Sequence, residues 1–178
     1  LKGLDQEKIK ASRMARMKAL ADYQYYFMNS VGQWTIVAYP ELNWAKKVFP
    51  ELSDEEAMNA LWEAILMTSR VKVGATVNNW KKHDDELAKH CALLNEYNFK
   101  SLHFKNSLGT DLTVGLIKNH IWQGGEEVAS GMYKVPFNAN IPTEEVFTMP
   151  DCYHIDGRVC STKPLSYGGK LISSFELT

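Results

Sequence analysis

The sequence predicts an α/β fold: a layered α/β unit running into a strand-rich part. Three observations carry that expectation. Apolar residues recur at helical spacing through much of residues 1–98, with one clear helix-start signal among them. That periodicity vanishes from Phe99 onward. The remaining residues form a series of short extended runs punctuated by Gly124, Gly125, Gly131, Pro136, Pro142, Pro150, Gly157 and Pro164, the texture of strands joined by ordered loops. The division is therefore expected at 1–98, the helical α/β part, and 99–178, the strand-rich part.

Taken in order, residues 5–29 read as a helix, with Ile9, Met14, Met17, Leu20 and Ala21 near helical spacing and Lys8, Lys10, Arg13 and Lys18 between them. Trp34-Thr-Ile-Val-Ala-Tyr39 is short, rich in β-formers and bounded by Gly32 and Pro40, which predicts a buried strand. Asn43–Val48 reads as a short helix. Ser53-Asp-Glu-Glu56 is a capping box, in which the Ser hydroxyl accepts from the backbone three residues on and the Glu reaches back. The helix it opens should run to about Arg70, with Ala57, Leu61, Ile65 and Thr68 on one face. A further helix over roughly Asn79–Glu96 turns Leu87, Cys91 and Leu94 inward and leaves His83 and His90 outside. Phe99–Lys105 and Asp111–Leu116 should pair around Asn106–Thr110, because Leu112, Val114 and Leu116 alternate with Asp111, Thr113 and Gly115. Gly168-Gly169 reads as a simple turn.

Composition narrows the function. The 178 residues are 45% hydrophobic and carry a net charge of -1, so disorder is excluded as the overall state. Charge does not separate along the chain: residues 1–98 hold 13 basic and 13 acidic side chains, and residues 99–178 hold 7 and 8. The basic run in residues 1–18 reads as a solvated helix face. Without an electropositive footprint, nucleic acid is not expected as a partner. No apolar run approaches membrane-spanning length, and no signal-peptide pattern opens the chain. Three cysteines without CxxC spacing fit a reduced, cytoplasmic setting. The chain begins at Leu1 and stops within Leu171–Thr178, where the residues partly alternate as a strand does, so it is expected to be an internal segment of a longer protein.

The loop from Phe137 to Asp151 is the most suggestive place for chemistry. It carries Glu144 and Glu145 side by side between Ile141-Pro142 and Val146-Phe147. In an extended stretch neighbours point to opposite faces, so only one of the two can enter a site while the other meets solvent or a supporting partner. An inward carboxylate needs a cation, a metal or a hydrogen-bond network. On spacing alone the two read as a solvated loop carboxylate pair. Elsewhere, Cys152 and His154 could share a face as a nucleophilic pair, but spacing supplies no third group to orient them. His103 and His120 read as structural, and Trp122–Glu126 as a turn with a core Trp or part of a substrate wall.

The run Asn140-Ile-Pro-Thr-Glu-Glu-Val-Phe-Thr-Met-Pro-Asp151 resembles the signature of the aminopeptidase T / aminopeptidase S (PepS) family of thermophilic-type metalloaminopeptidases. Ser101–Leu116, Asp156-Gly-Arg-Val159 and Ser161–Ile172 resemble the family's hairpin and the segments after the acidic loop, and the resemblance extends over the whole chain. It implies that the strand-rich part belongs to a catalytic domain. It implies a dimeric cytoplasmic exopeptidase that removes N-terminal amino acids from peptides with two divalent metals, zinc or cobalt, with magnesium a further candidate. In relatives the Glu immediately before Val-Phe is the more regular of the two. That makes Glu145 the expected metal ligand and Glu144 its support. The remaining ligands of the family lie in motifs that come after this segment and find no match here. No catalytic residue is therefore expected within the chain, which alone should be inactive. The alternatives are a non-catalytic module for peptide binding or oligomer contacts, and a cysteine hydrolase using Cys152 and His154.

Overall fold

A helix start leaves backbone N–H groups without partners, and side chains that satisfy them decide where helices begin. Two such starts are explicit in the computed structural model, which describes residues 5–167 and 170–177. Asp5 Oδ1 accepts from the Glu7 and Lys8 amides at 3.0 and 3.3 Å and opens α1 (Gln6–Ala19). The sequence reads one helix over 5–29. The structure breaks it at Leu20, so that α2 (Ala21–Met28) is separate. At the second start the Glu56 amide donates to Ser53 Oγ at 3.3 Å, and Ser53 N–H donates to Glu56 Oε2 at 3.0 Å. This is the expected capping box, and it opens α4 (Asp54–Thr68).

The chain forms two compact units. One comprises Tyr25–Leu93 and Gln123–Phe147. Its core lies between α3 (Leu42–Val48) and α4, where Ala45, Ala57, Leu61 and Ile65 are buried and Ala38, Phe49, Leu52 and Met58 pack against them. Small residues at 45 and 57 let the helices approach. Leu61 and Ile65, four residues apart, present one stripe. Thr68, expected on that stripe, is exposed, and its hydroxyl donates back to the Ala64 and Ile65 carbonyls. The part of α5 (Thr76–Tyr97) up to Leu93 belongs to the same unit and buries Leu87.

The strand expected over Trp34–Tyr39 is not buried. Only Ile36 and Val37 are extended, as β1, and they are 61% and 57% exposed. Trp34 instead turns into an aromatic cluster, with ring centroids 5.3 Å from Phe27 and 6.3 Å from Phe137. The reason is that β-branching sets a backbone preference, while burial depends on what covers the faces. Here β1 gains one partner, β6 (Asn140–Ile141), in parallel register Ile36↔Asn140 and Val37↔Ile141. A further antiparallel pair in this unit joins β4 (Glu126–Val128) to β5 (Pro136–Asn138).

The second unit comprises residues up to Gln24, Leu94–Trp122, and residues from Thr148 onward. It contains a four-stranded antiparallel sheet in the order β10 (Glu176–Leu177), β7 (Pro150–Cys160), β3 (Asp111–Leu116), β2 (Ser101–Lys105). The β2–β3 hairpin is the expected one, in register Ser101↔Gly115 to Lys105↔Asp111. Its turn is organised by Asn106, whose Oδ1 accepts from the Leu108 and Thr110 amides. Buried Thr110 then ties the hairpin to β7, its hydroxyl accepting from Cys160 N–H at 3.0 Å. Gly157 has a φ of +122°, and a Cβ there would sit 2.2 Å from Asp111 O, so β7 can lie against β3 only with glycine at that position. Asn95 clamps buried Trp122, giving a hydrogen bond to its carbonyl and taking one from its amide. A small hairpin joins β8 (Leu165–Tyr167) to β9 (Lys170–Ile172). The turn read at Gly168-Gly169 lies outside the described residues.

Ser53→Ala removes the hydroxyl that accepts from the Glu56 amide and leaves only the backbone half of the capping box, and it is expected to destabilise the unit by about 1 kcal/mol, read as a lower urea midpoint. Exposed carboxylates supply a pH dependence. Lys105 and His103 hold Asp111 below the usual carboxylate range, and the Tyr153 amide and His154 do the same for Asp151. A lowered folded value contributes stability above the unfolded value, and that stability is lost as pH falls. The urea midpoint should therefore drop below about pH 4, and Asp111→Asn should shallow that drop.

Candidate functional site

The acidic loop is held from below by the C-terminal end of α4 and one face of α5. After Thr68, the Arg70 amide donates to Met67 O at 3.1 Å and the Val71 amide to Leu66 O at 2.9 Å. These two bonds make a Schellman cap, whose C′ position is ordinarily glycine. Here it is Arg70, with φ +57°. An L-residue with a Cβ carries about 1–2 kcal/mol of strain in that conformation. The residue is held by α5 on its backbone and its side chain. Asn79 Nδ2 donates to Arg70 O at 3.3 Å, Trp80 Nε1 donates to Ser69 O at 2.9 Å, and the guanidinium lies 6.0 Å from the Trp80 ring centroid.

From there Arg70 reaches Glu144 with both prongs of its fork, at 2.5 and 2.7 Å. Arg70 holds the Glu144 carboxyl below the usual range, and Glu144 raises the Arg70 guanidinium. The Glu144 side chain is 62% exposed, so solvent screens the pair and its net contribution to stability is on the order of 0.2–1 kcal/mol. Its larger effect is geometric, since two parallel bonds fix the carboxylate in position and plane. Farther along α5, His83 Nε2–H donates to Thr143 O at 2.6 Å, which sets its tautomer, and lies 3.9 Å from Glu144 Oε2. His83 was expected on the exposed side of its helix, yet its side chain is 12% exposed. The acidic loop covers it, and helical spacing cannot register a covering loop. Asp84, next in sequence, accepts from Asn138 Nδ2 at 2.9 Å near the loop's start.

The other end of the loop is held by an antiparallel bridge in which Gln123 and Phe147 exchange N–H···O bonds of 2.9 and 2.8 Å. A Cβ on Gly124 would lie 2.5 Å from Glu145 O, so the chain passes there only because position 124 has no side chain. Between these ties Glu145 is exposed, and among the described residues its carboxylate has no hydrogen-bond or ion-pair partner. The loop thus presents one engaged and one unengaged carboxylate. Alongside lies an open groove of about 690 Å³ lined by Leu66, Met67, Arg70, Lys72, Lys82 and His83.

The remaining sequence candidates fall elsewhere. His154 Nδ1 sits 2.7 Å from Asp151 Oδ2, so an orienting acid exists where none was expected. Among the described residues no hydrogen bond joins His154 to Cys152, and Cys152 is exposed. Burial raises the Cys91 thiol, and all three cysteines are free. His103 pairs with Asp111 at 2.7 Å, and His120 stands edge-on to buried Trp122. His90 is exposed, as expected. Among the described residues no three His, Cys, Asp or Glu side chains converge as a complete metal cage does, and no described helix is long and apolar enough to cross a membrane.

The known proteins that this α/β chain resembles are aminopeptidases, and the family they point to is one of metal-dependent hydrolases. The chain is 44% identical over 178 residues to aminopeptidase AmpS of Bacillus subtilis (strain 168), all of this chain against 43% of that protein. It is 42% identical over 178 residues to aminopeptidase PepS of Streptococcus thermophilus, 99% of this chain and 42% of that one. The solved structure of wild-type AmpT from Thermus thermophilus superposes with a TM-score of 0.84 at 39% identity, covering 96% of this chain and 41% of that one. The family model described as thermophilic metalloprotease (M29) matches residues 1–178, and the chain belongs to that family. It spans about 43% of the length of the curated relatives it matches.

Arg70, His83 and Gly124 escaped the sequence reading. A stop signal at Arg70 was legible only as the end of a periodic run, because the residue that signals this cap is normally glycine. Gly124 read as ordinary punctuation. Gly124→Ala is expected to push the Glu145 carbonyl away and destabilise the unit by about 1–3 kcal/mol. Circular-dichroism melting would show a lowered midpoint, with accelerated amide exchange confined to the segment from Thr143 to Phe147.

Proposed function

We propose that this chain is part of a metalloaminopeptidase, an enzyme that removes N-terminal amino acids from peptides with a two-metal site, and that Glu145 is the ligand this part contributes. The single observation that carries the residue assignment is the contrast on the acidic loop. Glu144 has both oxygens engaged by Arg70, while Glu145 is unengaged on a segment tied at both ends. Membership of a metalloprotease family and similarity to aminopeptidases support the activity.

The donor suits the group. An ionised carboxylate is an oxygen ligand that zinc, cobalt and magnesium all accept. When bound, a metal pair supplies Lewis acidity and an activated water. In this reading Glu145 anchors one metal, Glu144 and Arg70 keep the loop in place, and the proton-accepting base comes from another part of the protein. The metal identity, zinc or cobalt, belongs to the proposal, as do a homodimeric parent and a cytoplasmic location.

The test is release of leucine from a chromogenic leucyl amide by the full-length protein, after chelation and after metal add-back. Metal should restore wild-type activity. Glu145→Gln should lower it by more than the roughly 10–100-fold that losing an outer-shell partner costs. Full activity in Glu145→Gln would remove this residue from the site. The purified 178-residue chain should release no leucine with any of the three metals, and metal-dependent turnover by it would overturn the view that it lacks the other ligands. A full-length protein that binds peptides yet never turns over with metal present would support the binding-module alternative instead.

A further inference from the structure

We propose that Arg70 is a positioning residue for the metal site: it fixes Glu144 so that Glu145, its neighbour on the acidic loop, is held toward the metal. The inference rests on the reading of Glu145 as a metal ligand.

Three independent features converge on Arg70. The first is its backbone. The Schellman cap is closed entirely by main-chain bonds, from Arg70 N–H to Met67 O and from Val71 N–H to Leu66 O, so the helix end makes no use of the side chain. A glycine would close the same cap without strain at φ +57°. A strained residue at a position better suited to glycine indicates that its side chain does something the fold does not need, and such residues cluster at functional sites. The second is the fork. The guanidinium engages both Glu144 oxygens, which fixes the plane of that carboxylate as well as its distance. The third is the mounting. Asn79 holds the Arg70 carbonyl, and Trp80 holds the adjoining Ser69 carbonyl while lying against the guanidinium.

The consequence for Glu145 comes from covalent adjacency. Glu145 directly follows Glu144 and lies two residues before the Gln123–Phe147 bridge, so holding Glu144 in one direction limits the directions open to its neighbour. His83 on the Thr143 carbonyl stops the loop from sliding along its axis, and Gly124 lets the Glu145 carbonyl seat. Arg70 also offsets the charge of one of two adjacent carboxylates, so Glu145 need not turn away from its neighbour. Lysine can replace it only in part, because a point charge lacks the planar fork.

The experiment compares Arg70→Gly and Arg70→Lys with wild type in the full-length protein. The readouts are melting temperature, zinc affinity by competition with a chromogenic chelator, kcat and KM on a leucyl amide, and amide exchange across Thr143–Phe147 in the metal-free state. Arg70→Gly is expected to melt at or above the wild-type temperature, because the backbone strain is relieved. Its zinc affinity should weaken by roughly 10–100-fold, the cost of losing an outer-shell partner. Its kcat should fall with KM little changed, and its loop amides should exchange faster. Arg70→Lys should fall between it and wild type in affinity and exchange. Wild-type zinc affinity and wild-type loop exchange in Arg70→Gly would overturn the proposal. So would a lowered melting temperature with unchanged loop exchange, which would make Arg70 a structural residue only. Glu145→Gln, measured in parallel, separates the two ideas. If it binds zinc as tightly as wild type, the ligand reading is lost, and this inference with it. If Glu145→Gln loses zinc and Arg70→Gly does not, the positioning role alone is lost.

Discussion

Two carboxylates on neighbouring residues repel each other, and an exposed loop has little with which to hold either in one direction. In this chain the constraint is met by a single guanidinium at the end of a helix. Arg70 takes both oxygens of Glu144, and Glu145 is left unengaged. Much of the first unit can be understood as what puts that guanidinium in place. The capping box at Ser53 fixes where α4 begins. Ala57, Leu61 and Ile65 fix its rotation against α3, and its length then fixes where Arg70 emerges. The core is small, so most of the precision at this helix end comes from hydrogen bonds supplied by Asn79 and Trp80 rather than from buried area.

The features that could be read from the sequence are those that depend on near neighbours. The capping box spans four residues and forms as written. The β2–β3 hairpin needs only alternation and a turn residue, and Asn106 supplies the turn. The α/β class was legible for the same reason. Burial was less legible where the covering element is distant in sequence. Ile36 and Val37 have the composition of a core strand, yet they meet only two residues of β6. His83 has the spacing of a surface residue, yet it lies under a loop sixty residues away. The Arg70–Glu144 pair spans a separation of 74 residues and leaves no local pattern at all. The sequence argument expected one of the two adjacent acids to point inward and the other to meet solvent or a supporting partner; Glu144 meets a cation, and both acids are exposed. That argument could not say which cation it would be.

Family membership and this geometry speak to different questions. The match to the thermophilic metalloprotease (M29) family over residues 1–178 shows what lineage of protein the chain comes from. The loop carries one carboxylate engaged by Arg70 and a neighbour left unengaged, on a segment tied at both ends. A two-metal centre requires several converging ligands, and among the described residues no such group converges.

The cap at Arg70 also makes the end of α4 and the acidic loop thermodynamic partners. Coupling free energies are reciprocal, so whatever restrains the loop also restrains the helix end, and fraying of the last turn of α4 loosens the loop to the same degree. A ligand that bound only the ordered loop would thereby lend part of its binding free energy to a helix it never touches. Sequence changes in the last turn of α4, at Met67 or Leu66 for instance, would in that sense be changes to the site, although neither residue belongs to the acidic loop.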